Sequence, residues 1–290
     1  MTVVGKIVKM LIYVAAAILL VYMLWLLCRI FLFDQFVIPT ESMSPTLLPG
    51  DRVVVDKRVM GARIYSDIDF NPDGGELHSW RTRGLRTLKH NDIVVFNFPH
   101  HDWKISFIIN NVFCKRILAL PGDTISIVEG FYRNNNYEEV LGLEEEQKKY
   151  THLPEDESWR KEMQTYPYDE HIKWTPYNWG PMYVPRKGDV IRITPHEAAL
   201  YGFILEWELG KKVTRDWKTG EVRADGNLLT RHQFKHNYYF MAGDNVLDSD
   251  DSRFWGLVPE EYIVGVAKYI TYSVNSQIEE RRGNRLLKKV

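Results

Sequence analysis

The sequence has few of the residues from which disulfide frameworks and metal sites are built. Its 290 residues include two cysteines, and Cys28 lies in an apolar run far from Cys114, so we expect no disulfide between them. None of the nine histidines has the spacing of a zinc site, and His196-Glu197 lacks the second histidine that a zinc-protease helix needs. We therefore expect a protein without a metal or a cofactor.

An excess of charge of one sign is also missing. The 37 Lys and Arg residues nearly balance the 38 Asp and Glu residues, so no strong positive field favours binding to nucleic acid. The composition, 45% hydrophobic and 26% charged, is ordinary for a globular protein. The length allows one large or two small domains, each with a substantial core.

One long apolar run is present, and no second run of this kind follows it. Met10–Cys28 reads MLIYVAAAILLVYMLWLLC without a charged residue. At 1.5 Å per residue these 19 residues span roughly 30 Å, the thickness of the apolar core of a bilayer. We predict a single membrane anchor over residues 10–30, preceded by a short N-terminal segment, residues 1–9.

The flanks of this run decide between an anchor and a cleaved leader. The run is long for a signal peptide, and no small-x-small site follows it. Bulky Leu27 stands before Cys28, which is unlike a lipoprotein signal. Lys6 and Lys9 precede the run, so the N-terminus is expected in the cytoplasm and the rest of the chain outside. We predict an anchor that is retained.

The remainder of the chain predicts a mainly β fold. Many short apolar segments are separated by Pro- and Gly-containing turns, with few convincing helices. Residues 130–236 differ, with acidic, helical-looking stretches and many aromatic residues, including a predicted helix over 196–210. We predict a β-rich catalytic domain over 34–129 and 237–275, a smaller α+β domain inserted at 130–236, and a charged, solvated tail at 276–290.

Ser42 is the first candidate for chemistry. It lies in the loop PTESMSPTLLPGD, which three prolines stiffen, just before a buried strand. From these residues alone, an ordinary turn serine is the more common explanation. Phe33 is nine residues away, so the chain can reach roughly 30 Å from the anchor at most. Ser42 is therefore expected close to the bilayer surface.

Lys115 is the second candidate. In the strand NVFCKRILAL, alternation places Phe113, Lys115 and Ile117 on one face and Cys114 and Arg116 on the other. An apolar surrounding disfavours the ammonium and lowers the pKa of a lysine, which could then take a proton from a serine. A lysine that extends its charge to solvent from a strand end is the commoner alternative.

A third segment, Gly243–Trp255, is rich in Asp and Ser. It lacks the spacing of a calcium loop and has no bidentate Glu at the twelfth position. A polar loop with Asx turns is the simplest interpretation.

Taken together, four motifs resemble the bacterial type I signal peptidases, also called leader peptidases. They are, in the order of that family, IPTESMSPTLLPGDRVVVDK, KHNDIVVFNFP, CKRILALPGDTI and GDNVLDSDDSRFWGLVPEEYIVGVA. They follow the apolar run and cover about 70 of the 290 residues. The resemblance implies a serine endopeptidase with a Ser-Lys dyad.

The resemblance also implies a role for individual residues. Ser42 is the expected nucleophile and Lys115 its general base. Thr40, where the family usually has Ser, is expected to help form the oxyanion hole with the backbone N–H of Ser42. Ser249 is expected to hydrogen-bond the lysine amine and orient it.

Four further residues are expected to support the site. The resemblance implies that Arg116, Asp251 and Arg253 form a salt-bridge cluster and that Met43 packs beside the nucleophile. Two departures from the family pattern are Ala119, where Gly is usual, and the run Val246-Leu247-Asp248, where Arg-Asp-Asn is usual. Neither falls on an expected catalytic position.

The implied substrates are secretory preproteins cut after a small-x-small sequence, at a bacterial inner membrane with the catalytic domain on the outer side. Two alternatives remain open. One is a Ser-Lys peptidase that processes a single dedicated envelope protein, and the other is an anchored binding module without activity. The role of residues 130–236 and the oligomeric state are not predicted.

Overall fold

The chain begins with a long apolar helix and continues as a strand-rich body. A computed structural model describes residues 3–67, 73–275 and 280–290. The α-helices are α1 (Val3–Phe31), α2 (Glu144–Lys148), α3 (Pro195–Leu200), α4 (Gly202–Leu209) and α5 (Ser252–Trp255). Short 3₁₀ helices cover Glu41–Met43, Glu155–Lys161, Glu260–Tyr262 and Gly283–Arg285.

Most of the other regular structure is short antiparallel strands. In chain order these are β1 (Phe33–Val37), β2 (Asp51–Asp56), β3 (Arg63–Tyr65), β4 (Ser79–Arg81), β5 (Ile93–Asn97), β6 (His100–His101), β7 (Lys104–Ile105), β8 (Val112–Ala119), β9 (Thr124–Val128), β10 (Phe131–Asn134), β11 (Trp179–Tyr183), β12 (Val190–Arg192), β13 (Val213–Arg215), β14 (Val222–Ala224), β15 (Asn227–Leu228), β16 (Arg231–Gln233), β17 (Tyr238–Ala242), β18 (Val258–Pro259), β19 (Ile263–Asn275) and β20 (Glu280–Arg281). The predicted fold class, strand-dominated with an N-terminal apolar helix, is confirmed.

Helix α1 is apolar on all sides and stands apart from the body. Its side chains are exposed along almost the whole length, as expected of a helix whose solvent is lipid. Residues Val4–Phe31 are long and apolar enough to cross a bilayer. Strand β1 begins at Phe33, so the body starts directly at the end of the helix. Arg29 and Asp34 form an ion pair of 2.7 Å across this junction.

One large antiparallel sheet positions the site. Its strand order is β1-β2-β19-β5-β8-β17-β18, with β20 paired to β19. Strand β5 reads IVVFN and is buried on both faces, which suits its place between β19 and β8. The two faces carry separate hydrophobic clusters: Val94 and Phe96 belong to the larger, and Ile93 and Val95 to the smaller.

The region between β9 and β17 packs onto the larger cluster. Strand β9 pairs with both β10 and β11, and Trp179 from β11 is almost fully buried against Phe240 of β17, with 4.9 Å between the ring centres. Hydrophobic contacts therefore continue across the predicted boundaries at 129/130 and 236/237. The division into a catalytic domain and an inserted domain stays a prediction.

The predicted helix over 196–210 is two helices. A capping box, in which Thr194 and Glu197 satisfy each other's backbone groups, starts α3. The chain leaves helical geometry at Tyr201, where ψ is 16°, and begins again at Gly202. Gly210, with φ of 62°, ends α4 in the left-handed conformation that glycine tolerates best.

Most described residues of the C-terminal segment are exposed, as its charges predict, but the segment also folds back onto the sheet. Residues 276–279 lie outside the described residues, but β20 pairs with β19, and Arg285 is buried. The Arg285 guanidinium contacts the fully buried carboxylate of Asp51 at 2.5 Å and also donates to the carbonyl of Thr46. A buried carboxylate needs such a partner, which explains why a charged tail folds back.

Candidate active site

Ser42 lies at the centre of a 3₁₀ turn that follows an extended segment. Thr40 precedes the turn in an extended conformation, with φ of −125° and ψ of 167°. Met43 in the same turn is buried in the smaller hydrophobic cluster, which anchors the loop to the sheet. Leu47 donates its N–H to the carbonyl of Met43 and is itself buried. The buried side chain of Met43 thus fixes the turn, and Ser42 with it, against the sheet.

Lys115 reaches Ser42 from strand β8. The Nζ atom of Lys115 lies 2.6 Å from the Oγ atom of Ser42. Lys115 is 3% exposed, and the ring of Phe113 lies 5.8 Å from its Nζ. Burial lowers the pKa of Lys115, although the carboxylates of Asp251 and Asp250 act in the opposite direction. The structure therefore brings together the two residues that the sequence predicts as a dyad.

Thr40 lies next to the same serine. Its Oγ1 is 3.3 Å from the Oγ of Ser42. Thr40 and Ser42 both line the cavity described below, and their role as oxyanion donors stays a prediction.

The salt bridges differ in part from those predicted. Asp251 and Arg253 form a fully buried pair with two contacts of 2.8 Å. Arg116 does not join them but binds Asp244 through Nε at 2.6 Å and Nη2 at 2.7 Å. The prediction of one three-residue cluster is wrong, because Arg116 lies on the opposite face of β8 from Lys115.

Ser249 does not orient the lysine amine in this structure. Its Oγ is buried and has no hydrogen-bond partner among the described residues. A methyl group added to Gly243 would lie 2.2 Å from this Oγ and 2.3 Å from the carbonyl oxygen of Ser42. Ser249 therefore lies beside the nucleophile turn, but the predicted hydrogen bond to Lys115 is not formed.

Two functional neighbours were missed from the sequence. Asp244 accepts a hydrogen bond from the Thr46 hydroxyl in addition to those from Arg116, and so ties the nucleophile loop to β8. Asn245 donates its backbone N–H to the carbonyl of Ser42 at 3.1 Å and its side-chain amide to the carbonyl of Glu41 at 3.3 Å. Both belong to the GDN triplet that opens the last motif, which is the signal that could have identified them.

A cavity of about 300 Å³ opens in front of Ser42 and Lys115. Its apolar lining residues come from the segments on either side of the dyad and include Ile38, Pro39, Val112, Phe113 and Cys114. Three carboxylates also line it, those of Glu41, Asp248 and Asp250. Burial and the neighbouring Asp251 raise the pKa of Asp250.

The arrangement needs no metal for its chemistry. No group of three or more metal-binding side chains occurs within the described residues. Cys28 and Cys114 are both free, and burial raises the pKa of the Cys114 thiol to about 12, so this thiol is not a nucleophile at neutral pH.

Comparisons with known proteins identify the family of the chain. The chain matches the family described as "Signal peptidase, peptidase S26" over residues 10–272. It is 26% identical over 248 residues to a signal peptidase I of Buchnera aphidicola subsp. Baizongia pistaciae, covering 83% of this chain and 70% of that protein. It is 28% identical over 250 residues to a signal peptidase I of Aquifex aeolicus, covering 86% and 79%.

Among solved structures, a signal peptidase I from Enterococcus faecalis matches with 17% identity and a TM-score of 0.31 over 63% of this chain and 98% of that one. The family match spans the anchor, the nucleophile loop, the lysine strand and the last motif. The chain therefore belongs to the signal peptidases of peptidase family S26, which are serine endopeptidases.

Proposed function

We propose that this chain removes signal peptides from secretory preproteins with Ser42 as nucleophile and Lys115 as general base. The observation that carries the proposal is the 2.6 Å distance from a buried lysine Nζ to the Oγ of Ser42. A serine hydroxyl is a weak nucleophile unless an adjacent base takes its proton. Here Lys115 is the only side chain that the described residues place at that distance with a lowered pKa.

The reaction proceeds in two halves. The neutral amine of Lys115 takes the proton of the Ser42 hydroxyl as Oγ bonds to the scissile carbonyl carbon. The resulting ammonium gives that proton to the nitrogen of the leaving mature chain when the C–N bond breaks. Lys115 is neutral again and takes a proton from the water that attacks the acyl carbon. The ammonium then returns this proton to the Oγ of Ser42 as the C–Oγ bond breaks, and the signal peptide leaves with a free carboxylate.

The developing oxyanion needs donors close to Ser42. The backbone N–H of Ser42 and the hydroxyl of Thr40, whose Oγ1 lies 3.3 Å from the Oγ of Ser42, would supply them. Loss of one such donor typically reduces kcat by about 10²–10³-fold. Asn245 supports the arrangement because it holds the Glu41 carbonyl, which belongs to the same peptide unit as the Ser42 N–H.

The substrate has an open strand edge on which to bind. Strand β17 pairs with β8 only from Arg116 to Ala119, so within the described residues no strand covers the edge of β8 from Val112 to Lys115. An extended peptide can add to such an edge through main-chain hydrogen bonds. The small apolar cavity beside it favours Ala-like side chains, which fits cleavage after a small-x-small sequence.

The anchor presents this site at a membrane. Strand β1 follows α1 directly, and Ser42 is five residues beyond its end at Val37. We propose that α1 spans a bacterial inner membrane with Lys6 and Lys9 on the cytoplasmic side and the strand-rich body outside.

The test is cleavage of a preprotein with an Ala-x-Ala site by the full chain, by Ser42→Ala and by Lys115→Met, from pH 6 to about 10. Wild-type kcat/KM should rise with pH through the lowered pKa of Lys115, since only the neutral amine accepts a proton. Both variants should lose at least about 10³-fold.

The matched control is Lys89→Met, which removes an exposed lysine and should cut like wild type. Equal cleavage by Lys115→Met and wild type would refute the dyad. Cleavage of one envelope protein but of no general preprotein would favour the dedicated peptidase.

A further inference from the structure

A second and larger cavity lies outside the catalytic pocket. It measures about 510 Å³ and is formed by the turn between β6 and β7, by helices α3 and α4, and by the end of α5. Trp103, Tyr166, Phe203 and Trp255 contribute aromatic rings to its lining, which also includes the charged residues Asp102, Glu206 and Arg215. This volume lies in the range of sites that bind small molecules or peptide side chains. Neither the dyad nor its supporting salt bridges account for it.

Two buried polar atoms at this cavity have no partner within the described chain. They are Nε1 of Trp255, a residue that is 7% exposed, and Nδ1 of His100. Burial lowers the pKa of His100 to about 4, so its ring is neutral at neutral pH. Both atoms are themselves closed off from solvent, so they lie within the wall of the cavity and not on its surface.

A continuous row of aromatic rings joins this cavity to the catalytic pocket. The Phe113 ring, 5.8 Å from the Lys115 Nζ, lines the catalytic pocket. Phe98 stacks on Phe113 with 4.6 Å between ring centres, and Trp255 packs edge-on against Phe98 at 5.4 Å. The straight-line distance from the Lys115 Nζ to the Trp255 ring is thus at most ~16 Å, a span that roughly five residues of extended chain cover at ~3.3 Å per residue.

We infer that the second cavity is a substrate subsite, which binds an apolar side chain of the preprotein about four to six residues before the scissile bond. This inference rests on the proposed function, because it places the same substrate in the dyad and in the cavity. The ring row supplies continuity between the two sites, and the aromatic side chains that line the cavity supply apolar surface for the substrate side chain.

The chemistry of signal peptides selects the side of the scissile bond. A signal peptide has an apolar segment of about 7–15 residues, followed by a short stretch that ends at the small-residue cleavage site. An apolar side chain a few residues upstream of the cut is therefore common to these substrates, whereas the mature chain has no such requirement. The aromatic cavity matches the end of that apolar segment. Helices α3 and α4, which have no other assigned part in the reaction, thereby take part in substrate binding.

Gly202 offers a way to fill the cavity without removing a buried group. It lines the cavity, and a Cβ built there would meet no described atom within 4 Å. Gly202→Leu adds volume where α4 begins and also replaces a weak helix former. Gly283→Leu is the matched control, since Gly283 has the same open surroundings and lines neither cavity.

Trp103 and Trp80 provide a second matched pair. Trp103 lines the cavity and is 80% exposed, so Trp103→Ala should not disturb folding. Trp80 is 57% exposed and lines neither cavity, so Trp80→Ala removes an equivalent surface ring elsewhere.

The experiment uses the full chain in detergent micelles and a set of peptides with one Ala-x-Ala site. Leu or Ser is placed in turn at each position from four to six residues before the cut, and at the same distances after it. We expect wild type to prefer Leu over Ser by about tenfold in kcat/KM at one upstream position. Gly202→Leu and Trp103→Ala should abolish this preference, while both control variants keep it. Binding of the same peptides to Ser42→Ala should show the same pattern without turnover.

The outcomes separate this inference from the proposed function. Cleavage of the Ser-substituted peptides by all four variants, and its loss in Ser42→Ala, tests the dyad alone. A wild-type enzyme without an upstream preference, or a preference that survives in Gly202→Leu and Trp103→Ala, would overturn the subsite. A preference found only downstream of the cut would overturn the assigned occupant.

Discussion

At the scale of single residues, Lys115 combines a catalytic advantage with an energetic penalty. Its surroundings disfavour the ammonium, so its pKa in the folded protein is lowered from the value in an unfolded chain. Below the folded pKa both states are protonated, and the folded state carries the full cost of a buried charge. As the pH rises towards about 10.4, the unfolded lysine also loses its proton and the cost disappears.

Lys115→Met should therefore stabilise the protein while it abolishes activity. Methionine fills a similar volume without a charge, and removal of a functional but destabilising group typically adds about 1–2 kcal/mol to the free energy of unfolding. Urea unfolding of both proteins between pH 6 and about 10.5 measures the difference. The gain should be largest at low pH and should vanish as the pH approaches the pKa of an unfolded lysine.

Lys89→Met is the reference, since an exposed lysine should change the stability by less than about 0.5 kcal/mol at any pH. A Lys115→Met protein that is less stable than wild type at pH 6 would show that the buried charge of Lys115 does not destabilise the folded protein.

The sequence predicts the residues of the site better than their partners. Alternation along β8 places Lys115 among apolar neighbours, and the resemblance of the motifs identifies Ser42. The partner of Arg116 could not be assigned in this way. Asp244 and Asp251 both lie in the last motif, and only the fold shows that Asp244 meets Arg116 on one face of β8 while Asp251 meets Arg253.

At the scale of structural elements, the loop after β17 holds the nucleophile turn. Asn245 binds the carbonyls of Glu41 and Ser42, and Asp244 binds the hydroxyl of Thr46. Gly243 lies so close to the nucleophile turn that a side chain there would overlap the Ser42 carbonyl. These contacts add to the backbone hydrogen bonds of the turn itself, in which Ser44 donates to the Glu41 carbonyl and Leu47 to the Met43 carbonyl.

Gly243→Ala should thus move the nucleophile. The added methyl group would lie 2.3 Å from the Ser42 carbonyl oxygen, so one of the two loops must shift. A displacement of about 1 Å between reacting groups can lower the rate about 10²-fold. We expect a loss of this size in kcat with little change in KM, and a loss of stability of about 1–3 kcal/mol.

Gly283→Ala, at a glycine with open surroundings, should leave both quantities unchanged. Steady-state kinetics together with thermal unfolding separates the two effects. A Gly243→Ala enzyme with wild-type kcat would mean that the turn does not depend on this contact.

Element ends that depend on local chemistry can be identified from the sequence, whereas those that depend on distant partners cannot. The dipeptide Asp225-Gly226 is typical of hairpin turns, and it joins β14 and β15. The tail was predicted as solvated because its charges have no partner nearby in sequence. Its Arg285 finds Asp51, 234 residues away, which local patterns do not reveal.

At the scale of the whole molecule, the anchor and the body are structurally independent. No described residue of α1 belongs to either hydrophobic cluster, and in its last turn the Arg29 carbonyl accepts a hydrogen bond from the Lys57 amine of the body. The carboxylate of Asp34 keeps a second partner, Lys57 at 3.0 Å, when Arg29 is removed. The Arg29–Asp34 pair is half exposed, so its loss should change the stability by less than about 1 kcal/mol.

A chain that begins at Leu32 should therefore fold and keep its dyad. In detergent, we expect its kcat/KM on a short soluble Ala-x-Ala peptide to lie within about threefold of the full chain, because substrate and enzyme meet by diffusion in both cases. On a preprotein inserted in lipid vesicles the two should differ strongly. The anchor confines the site to the surface where the substrate lies. Such tethering raises the effective concentration of the substrate and typically strengthens overall binding by about 10²–10⁴-fold.

For each chain, the ratio of its activity on vesicles to its activity on the soluble peptide separates the role of the anchor from that of the site. A truncated chain that fails on both substrates would show that α1 supports the fold, contrary to its lack of core contacts. Equal activity of both chains on vesicles would show that the body itself binds the bilayer. A loss on vesicles alone, about 10²-fold or more, means that α1 acts by placing Ser42, nine residues from Phe33, within reach of a membrane-bound substrate.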